Sequence, residues 1–352
     1  MSAICKPVSL RRGAHFAALL LCALLLLSPL SGCASPQRYS VTYADVFDTV
    51  TTFTAYTASR AEFDALAERL HERLLEDHRR FDIYREYPGA VNLCTVNRLA
   101  PGEAVAVDGE LFALLRFGQE AYAFSRGKLN IALGAVLALW QEAREQAAAD
   151  PANAAPPEAD LLRAAAEHCR MEDLELDEAA GTVRFLDPAL RLDVGAIAKG
   201  WAQARAMALL AESGCKAWLL NMGGSVSCRG TKPDGSPWTI GLEDPLNQEA
   251  GMRIFTLTDS CAVTSGVDQR YFMVGDTRYH HLIDPDTGYP GLLYTQVTVL
   301  LPDPGAADAL STSLFLLDPD TGRALAAELG AEVFWVLPDG STMRTDGFPE
   351  MQ

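Results

Sequence analysis

The sequence predicts an α+β domain built from α/β-type layers, with mixed sheets flanked by helices, and three observations carry that prediction. A run rich in Val, Thr, Phe and Tyr precedes two amphipathic helices. From residue 183 onward, short apolar strands alternate with glycine-rich turns and two further helices. The composition, 49% hydrophobic and 21% charged over 352 residues, is that of a chain able to bury a core. With no internal repeat and no low-complexity linker, residues 41–352 are expected to form a single compact domain.

Tyr39 to Tyr56 is read as one strand from its β-branched and aromatic residues. Phe63, Leu66, Leu70 and Leu74 then recur at three- and four-residue steps, which predicts a helix ending near Arg80. Phe81-Asp82-Ile83-Tyr84 leads through Pro88-Gly89 into a loop holding Asn92 and Asn97, and Leu111 to Phe124 forms a second helix. Residues 141–168, Ala- and Glu-rich and broken by Asp150-Pro151 and Pro156-Pro157, are expected as a helical insertion. Strands follow at Val183–Leu186, Lys216–Asn221, Trp238–Leu242, Ile254–Leu257, Val297–Leu301 and Val333–Leu337. The two later helices are 197–213, with Ile197, Trp201, Ala204 and Ala208 assigned to one face, and 306–317.

Residues 1–32 are set apart from the fold. Lys6, Arg11 and Arg12 precede an apolar run from Phe16 to Leu27 that is short for a membrane span, the pattern of a secretory signal peptide. Leu30-Ser31-Gly32-Cys33 resembles a bacterial lipobox, so Cys33 is expected to carry the lipid and residues 33–40 to form the tether. The expected location is the extracytoplasmic face of a bacterial cell membrane. Removing three cations and no acids moves the formal net charge from −17 to −20. So acidic a protein argues against nucleic acid or anionic lipid as a partner, and it implies that an anionic ligand binds with help from a metal ion. Cys94, Cys169, Cys215, Cys228 and Cys261 remain; with no CxxC spacing they read as free thiols.

Four segments carry chemistry. Arg191 to Gly200 packs Asp193, Gly195, Lys199 and Gly200 into a turn that opens a helix, an arrangement suited to a phosphate or a metal. His280 to Pro290 holds two histidines and two aspartates in a rigid turn, where a histidine can take a proton and an aspartate can orient it; His280 itself reads as a neighbour of the chemistry. Asp308, Ser311 and Thr312 share one helix face and offer hard oxygens to Mg²⁺, although the same residues also suit a helix cap. Asn221 to Ser225 ends a strand with a glycine pair, either to admit a flat ligand or simply to turn.

The ordered set Asp193–Gly200, Asn221–Gly224, Thr264-Ser265-Gly266, His281–Pro290 and Ala307–Thr312 resembles the ApbE family of FAD:protein FMN transferases. Phe81 to Tyr84 through Asn97 resembles that family's flavin-contacting tyrosine segment, and Gly127 to Ile131 through Trp140 its Gly-x-x-Asp segment. The resemblance implies a T-fold-like catalytic domain that splits FAD and esterifies FMN to a Ser or Thr hydroxyl of an extracytoplasmic acceptor, releasing AMP. It places Phe47, Tyr84, Lys128, Leu129, Asn130, Asp193, Lys199 and Ile283 against FAD. Mg²⁺ would lie at the Ala196 carbonyl, Asp308 and Thr312 with Ser311 close by, and His281 and Asp284 are the candidates for preparing the acceptor hydroxyl. The acceptors it suggests are subunits of Rnf-type or sodium-pumping redox complexes, or secreted flavoproteins. This chain departs from the family at Phe47-Asp48, where Met-Gly is common, and at Asn130, where aspartate is common. A pyrophosphatase giving FMN and AMP, and a lipid-anchored flavin-binding or scavenging protein without turnover, are the competing readings.

Overall fold

Eight antiparallel strands form the central sheet of the computed structural model, which describes residues 35–100, 102–246 and 252–352. The leader and Cys33 lie outside the described residues. The run read as one strand is a hairpin, β1 (Gln37–Val46) and β2 (Thr49–Thr57), because Phe47 and Asp48 adopt φ of 54° and 50° and turn the chain in two residues. Helix α1 (Arg60–Phe81) is capped by Ser59, and a short α2 (Leu93–Val96) is capped by Asn92. β3 (Ala104–Ala106), α3 (Gly109–Phe124), α4 (Gly134–Ala149), α5 (Ala159–Ala166), β4 (Leu174–Asp177) and β5 (Thr182–Phe185) follow, the three strands forming a small separate sheet.

α6 (Ala198–Glu212) leads into β6 (Trp218–Met222), β7 (Ser225–Arg229), β8 (Trp238–Glu243), β9 (Met252–Leu257) and β10 (Cys261–Gly266). Two small hairpins, β11 (Tyr271–Val274) with β12 (Thr277–His280) and β13 (Ile283–Asp284) with β14 (Tyr289–Pro290), precede β15 (Gln296–Leu301). The chain closes with α7 (Pro304–Leu316), α8 (Pro319–Glu328), β16 (Glu332–Val336) and β17 (Thr342–Arg344). Helix α8 is absent from the sequence reading, which counted two helices after residue 183. The sheet order is β1-β2-β6-β7-β10-β15-β16-β17.

Both faces of the sheet are covered, so the alternation of strand residues sorts side chains into two cores. On one face, Phe53, Leu220 and Met222 pack with Phe63, Leu70 and Leu74 of α1 and with α6, while Val263, Val297, Val299 and Trp335 pack on Leu310 and Leu314 of α7. On the other face, Leu300, Phe334 and Val336 meet Trp238, Ile240, Phe255 and Leu257 of the β8–β9 hairpin. Every residue of β15 is buried, Gln296 and Thr298 included, because both faces of the sheet are covered there.

The face assigned to α6 is corrected by the structure. Its buried stripe is Ala198, Ala202, Ala206 and Leu210 with Gly200 and Gln203, whereas Trp201 lies half-buried against Phe117 and Ala208 is exposed. Small residues win this face because α6 approaches α7 closely: a Cβ at Gly200 would lie 2.3 Å from the Pro304 carbonyl oxygen and 2.5 Å from Asp308 Cβ. Residues 141–168 show the expected order of helix, break and helix, but the first of these helices, α4, begins earlier, at Gly134, and packs through Trp140 on Phe272 and Tyr279.

Gly200→Ala is expected to destabilise the fold by about 1–3 kcal/mol, because backbone at Pro304 has to move. Urea denaturation measures this, and Ala204→Gly, in the same helix away from that contact, serves as the comparison.

Candidate active site

The opening of α6 and the buried length of α7 meet at one carboxylate. Asp308 is 4% exposed; its Oδ2 accepts the Gly200 N–H at 2.8 Å, and its Oδ1 lies 3.5 Å from Lys199 Nζ. Burial raises the Asp308 pKa and the Lys199 charge opposes that rise. The cap of α7 is Asp303, whose side chain accepts from Gly305 and Ala306, so Asp308 is free of the capping role the sequence also allowed. Thr312, one turn further on, and Ala196, two residues before α6, line the same cavity. Ser311 lies behind the wall, fully buried, with its Oγ 2.8 Å from Ser265 Oγ and 3.0 Å from the Asp308 carbonyl; Ser265 is the hydroxyl that faces the cavity.

This donor set suits a hard cation. Among the described residues there is no cluster of three or more His, Cys, Asp or Glu able to hold a metal. One carboxylate with a hydroxyl and a carbonyl fits Mg²⁺, which keeps water and takes phosphate oxygens to complete its shell.

The two histidines of the following loop have different surroundings. His280 is buried, with Nε2 2.9 Å from the Gly291 carbonyl and Nδ1 accepting from Leu282 N–H at 3.3 Å, so both ring nitrogens hold the loop in place. Burial pushes its pKa down to about 4. His281 lines the cavity and places Nδ1 3.0 Å from the Gln269 carbonyl. A carbonyl only accepts, so Nδ1 carries the proton and Nε2 is left with a free lone pair. Burial first, then the nearby Arg270 charge, pushes His281 down to about 3, so the ring is neutral at physiological pH.

Asp284 points elsewhere. Its Oδ1 lies 2.7 Å from Lys128 Nζ, and Asp286 Oδ2 lies 2.8 Å from the same ammonium. Burial opposes the charge on Lys128, but the two carboxylates outweigh it and raise its pKa. Lys128 lines the cavity and Asp284 does not, so this ion pair braces the wall from behind.

The other side of the cavity is held by amides. Asn97 accepts the Leu192 N–H at 2.8 Å and donates to the Leu192 carbonyl at 2.9 Å, while the Asp193 N–H donates to the Ile131 carbonyl at 2.8 Å. These bonds lay Asp193 beside Ile131, in the segment that also carries Leu129 and Asn130. Asn92 donates to the carbonyls of Arg79, Asp82 and Arg85 and so anchors the segment bearing Tyr84, whose hydroxyl donates to Gln141 Oε1 at 2.7 Å. Asn130 donates to the Cys169 carbonyl at 2.8 Å and accepts the Ala132 N–H at 2.9 Å. An aspartate has no proton for the Cys169 carbonyl, which explains the amide at this position.

Phe47, Tyr84, Lys128, Leu129, Asn130, Asp193, Lys199 and Ile283 all line one cleft of about 1370 Å³, open to solvent, together with Ala196, His281, Asp308 and Thr312. The glycine pair after β6 turns the chain into β7; Gly223 lines the cleft, and a Cβ there would lie 2.1 Å from Thr49 Oγ1, so the position calls for glycine. Trp140, Gln141, Arg144, Gln269 and Arg270 also line it and have no role in the sequence analysis; the apolar stripe of α4 is the only signal for the first three, and the turn that holds Gln269 and Arg270 has none.

The model of the ApbE family matches residues 47–335. The chain belongs to the ApbE family. An FAD:protein FMN transferase of Treponema pallidum is 30% identical over 264 residues, spanning 70% of this chain and 71% of that protein. A Klebsiella pneumoniae protein of the same name is 25% identical over 96% of both chains. Among solved structures, the ApbE protein of Thermotoga maritima superposes with a TM-score of 0.78 at 26% identity over 89% of this chain and 98% of its own. The apo flavinyl transferase ApbE of Pseudomonas stutzeri superposes at 0.74 and 26% identity, covering 89% and 96% of the respective chains. The mixed α/β fold with several antiparallel sheets is therefore that of the ApbE structures.

Neutral histidines tie stability to pH in a defined direction. Because both folded pKa values lie below the ordinary 6.5, the unfolded chain takes up protons first, and stability is complete above about pH 6.5 and falls as the pH drops toward 4 and then 3. Replacing His281 by Asn is expected to reduce the stability lost between about pH 7 and about pH 5, measured by urea midpoints; an unchanged loss would contradict a neutral His281.

Proposed function

We propose that this ApbE-family chain is an FAD:protein FMN transferase that moves FMN from FAD onto a Ser or Thr hydroxyl of an extracytoplasmic protein. The observation that carries this reading is the meeting, in one cleft, of a neutral imidazole with a free Nε2 and a buried carboxylate paired with a lysine. The names of the Treponema and Klebsiella relatives support the same activity.

In this reading the acceptor hydroxyl oxygen attacks the phosphorus of the FMN phosphate as its proton passes to His281 Nε2. The bond from that phosphorus to the bridging oxygen breaks, and AMP leaves with the electron pair. Phosphoryl transfer of this kind depends on positioning and charge neutralisation more than on covalent help from the protein. Lys199 holds the diphosphate, Tyr84 and Phe47 flank the flavin, and Leu129 and Ile283 supply apolar wall. The Ala196 carbonyl, Asp308 and Thr312 would hold Mg²⁺, which when bound neutralises phosphate charge and favours departure of AMP. The Lys128–Asp284 pair keeps the His281 loop in register. Cys33 would anchor the chain by lipid to the outer face of the cell membrane, bringing the cleft to exported acceptors such as subunits of membrane redox complexes.

Incubating the protein with FAD, Mg²⁺ and a candidate acceptor is expected to add an FMN mass to the acceptor and release AMP. Free FMN formed without acceptor would indicate hydrolysis, and FAD binding without AMP release would indicate a carrier. Asp308→Ala is expected to lower transfer at least about a hundredfold, since it removes a charged ligand, with a smaller loss of FAD affinity. Full activity in that variant would remove Asp308 from the site. Cys33→Ala is expected to move the protein from the membrane fraction to the soluble fraction.

A further inference from the structure

The cleft contains two cations that the proposed reaction does not use. Arg270 lies in the turn between β10 and β11, its backbone in the left-handed region at φ 47°, a conformation that is costly for a bulky side chain. Arg144 lies half-buried on α4. Lys128 is neutralised by Asp284 and Asp286, and Lys199 faces Asp308. Neither arginine has a hydrogen bond or ion pair among the described residues. They are also close enough to repel: burial, then the Arg270 charge, lowers the Arg144 pKa. Asp193, which lines the same cleft, feels the charge of both arginines but pairs directly with neither, so two guanidiniums converge on the cleft with their N–H donors uncommitted.

The shape of the cleft indicates what they meet. A second cleft of about 970 Å³, lined by His78, Phe81, Asp82 and Ile83, opens beside the first. The two share Phe47, Asp48, Tyr84, Asp193, Gly195, Lys199 and Arg270 along one seam, so Lys199 and Arg270 are the cations common to both, beside the carboxylates of Asp48 and Asp193. A ligand with a ring system at each end and a diphosphate between them fits two adjoining clefts with its charge at that seam. The planar fork of a guanidinium matches a phosphate through paired N–H donors.

We propose that Arg270, seconded by Arg144, forms a phosphate-recognition pair that reads the diphosphate of the dinucleotide and so selects FAD over unphosphorylated flavin. This rests on the flavin-transfer reading and adds to it a source of ligand specificity. The strained backbone at residue 270 holds its guanidinium at the seam, and repulsion between the two arginines is relieved when the anion arrives.

Titrating the full chain in detergent with FAD, ADP and riboflavin, with EDTA present so that no divalent metal contributes, tests the pair. Arg270→Gly keeps the left-handed backbone accessible, and its melting temperature confirms folding. It is expected to weaken FAD and ADP by about ten- to a hundredfold, with riboflavin changed by less than about twofold. Arg144→Ala is expected to act in the same sense and less strongly, and Arg270→Lys to restore only part of the loss, as a single point charge. Unchanged FAD affinity in Arg270→Gly, or an equal loss for riboflavin, would overturn the pair while leaving flavin transfer intact. Failure of the wild-type chain to bind FAD with or without Mg²⁺ would overturn both.

Discussion

The close approach of two helices at Gly200 is the constraint on which the site depends. Without a side chain there, α6 comes near enough to α7 for a backbone N–H to reach Asp308 at 2.8 Å, and the next residue back, Lys199, comes within 3.5 Å of the same carboxylate. A carboxylate this buried is tolerated only when hydrogen-bonded and countercharged, and both partners come from the start of α6. The stripe of Ala198, Ala202 and Ala206 extends the close contact along the helix. Packing of two helices therefore places the charged end of the cleft, and the sheet beneath them fixes where that end lies.

The rest of the cleft is made of loops that side-chain amides and one indole hold still. Asn92 and Asn97 bind backbone on either side of the Tyr84 segment, and Asn130 bridges to Cys169. Trp140 donates from Nε1 to the Gly288 carbonyl at 2.8 Å and so ties α4 to the histidine loop. These contacts are polar, directional and distant in sequence. They let irregular backbone line a cavity without leaving its own N–H and C=O groups unpaired. Cys94, Cys169, Cys228 and Cys261 are buried and, with the half-buried Cys215, unpaired with one another, which fits packing residues rather than chemistry.

Much of this was legible in the amino-acid order, and the parts that were not share a physical reason. Periodicity located α1, α3, α7 and most core strands, since burial on one face leaves a regular trace. It misassigned α6, where Trp201 dominates a hydrophobicity pattern but close packing calls for alanine and glycine. The hairpin at Phe47-Asp48 was missed because its residues lack the Asn-Gly or Asp-Gly signal for a tight turn, even though both take positive φ. The Asp308 helix face, Lys199 and His281 were recognisable as dense polar motifs. Arg144 and Arg270 were not, because one lies in an Ala- and Glu-rich helix and the other in an ordinary loop. Their significance comes from a shared cleft and from N–H donors without a hydrogen-bond partner among the described residues, which only three dimensions reveal.

Crystals grown with FAD and Mn²⁺ in place of Mg²⁺, examined by anomalous scattering, test the central claim most directly. The expected map has a manganese peak within bonding distance of the Ala196 carbonyl, Asp308 and Thr312, touching a diphosphate that also meets Lys199. A peak elsewhere, or a diphosphate remote from Asp308, would contradict the assignment of this helix crossing as the place where the dinucleotide is gripped and cut.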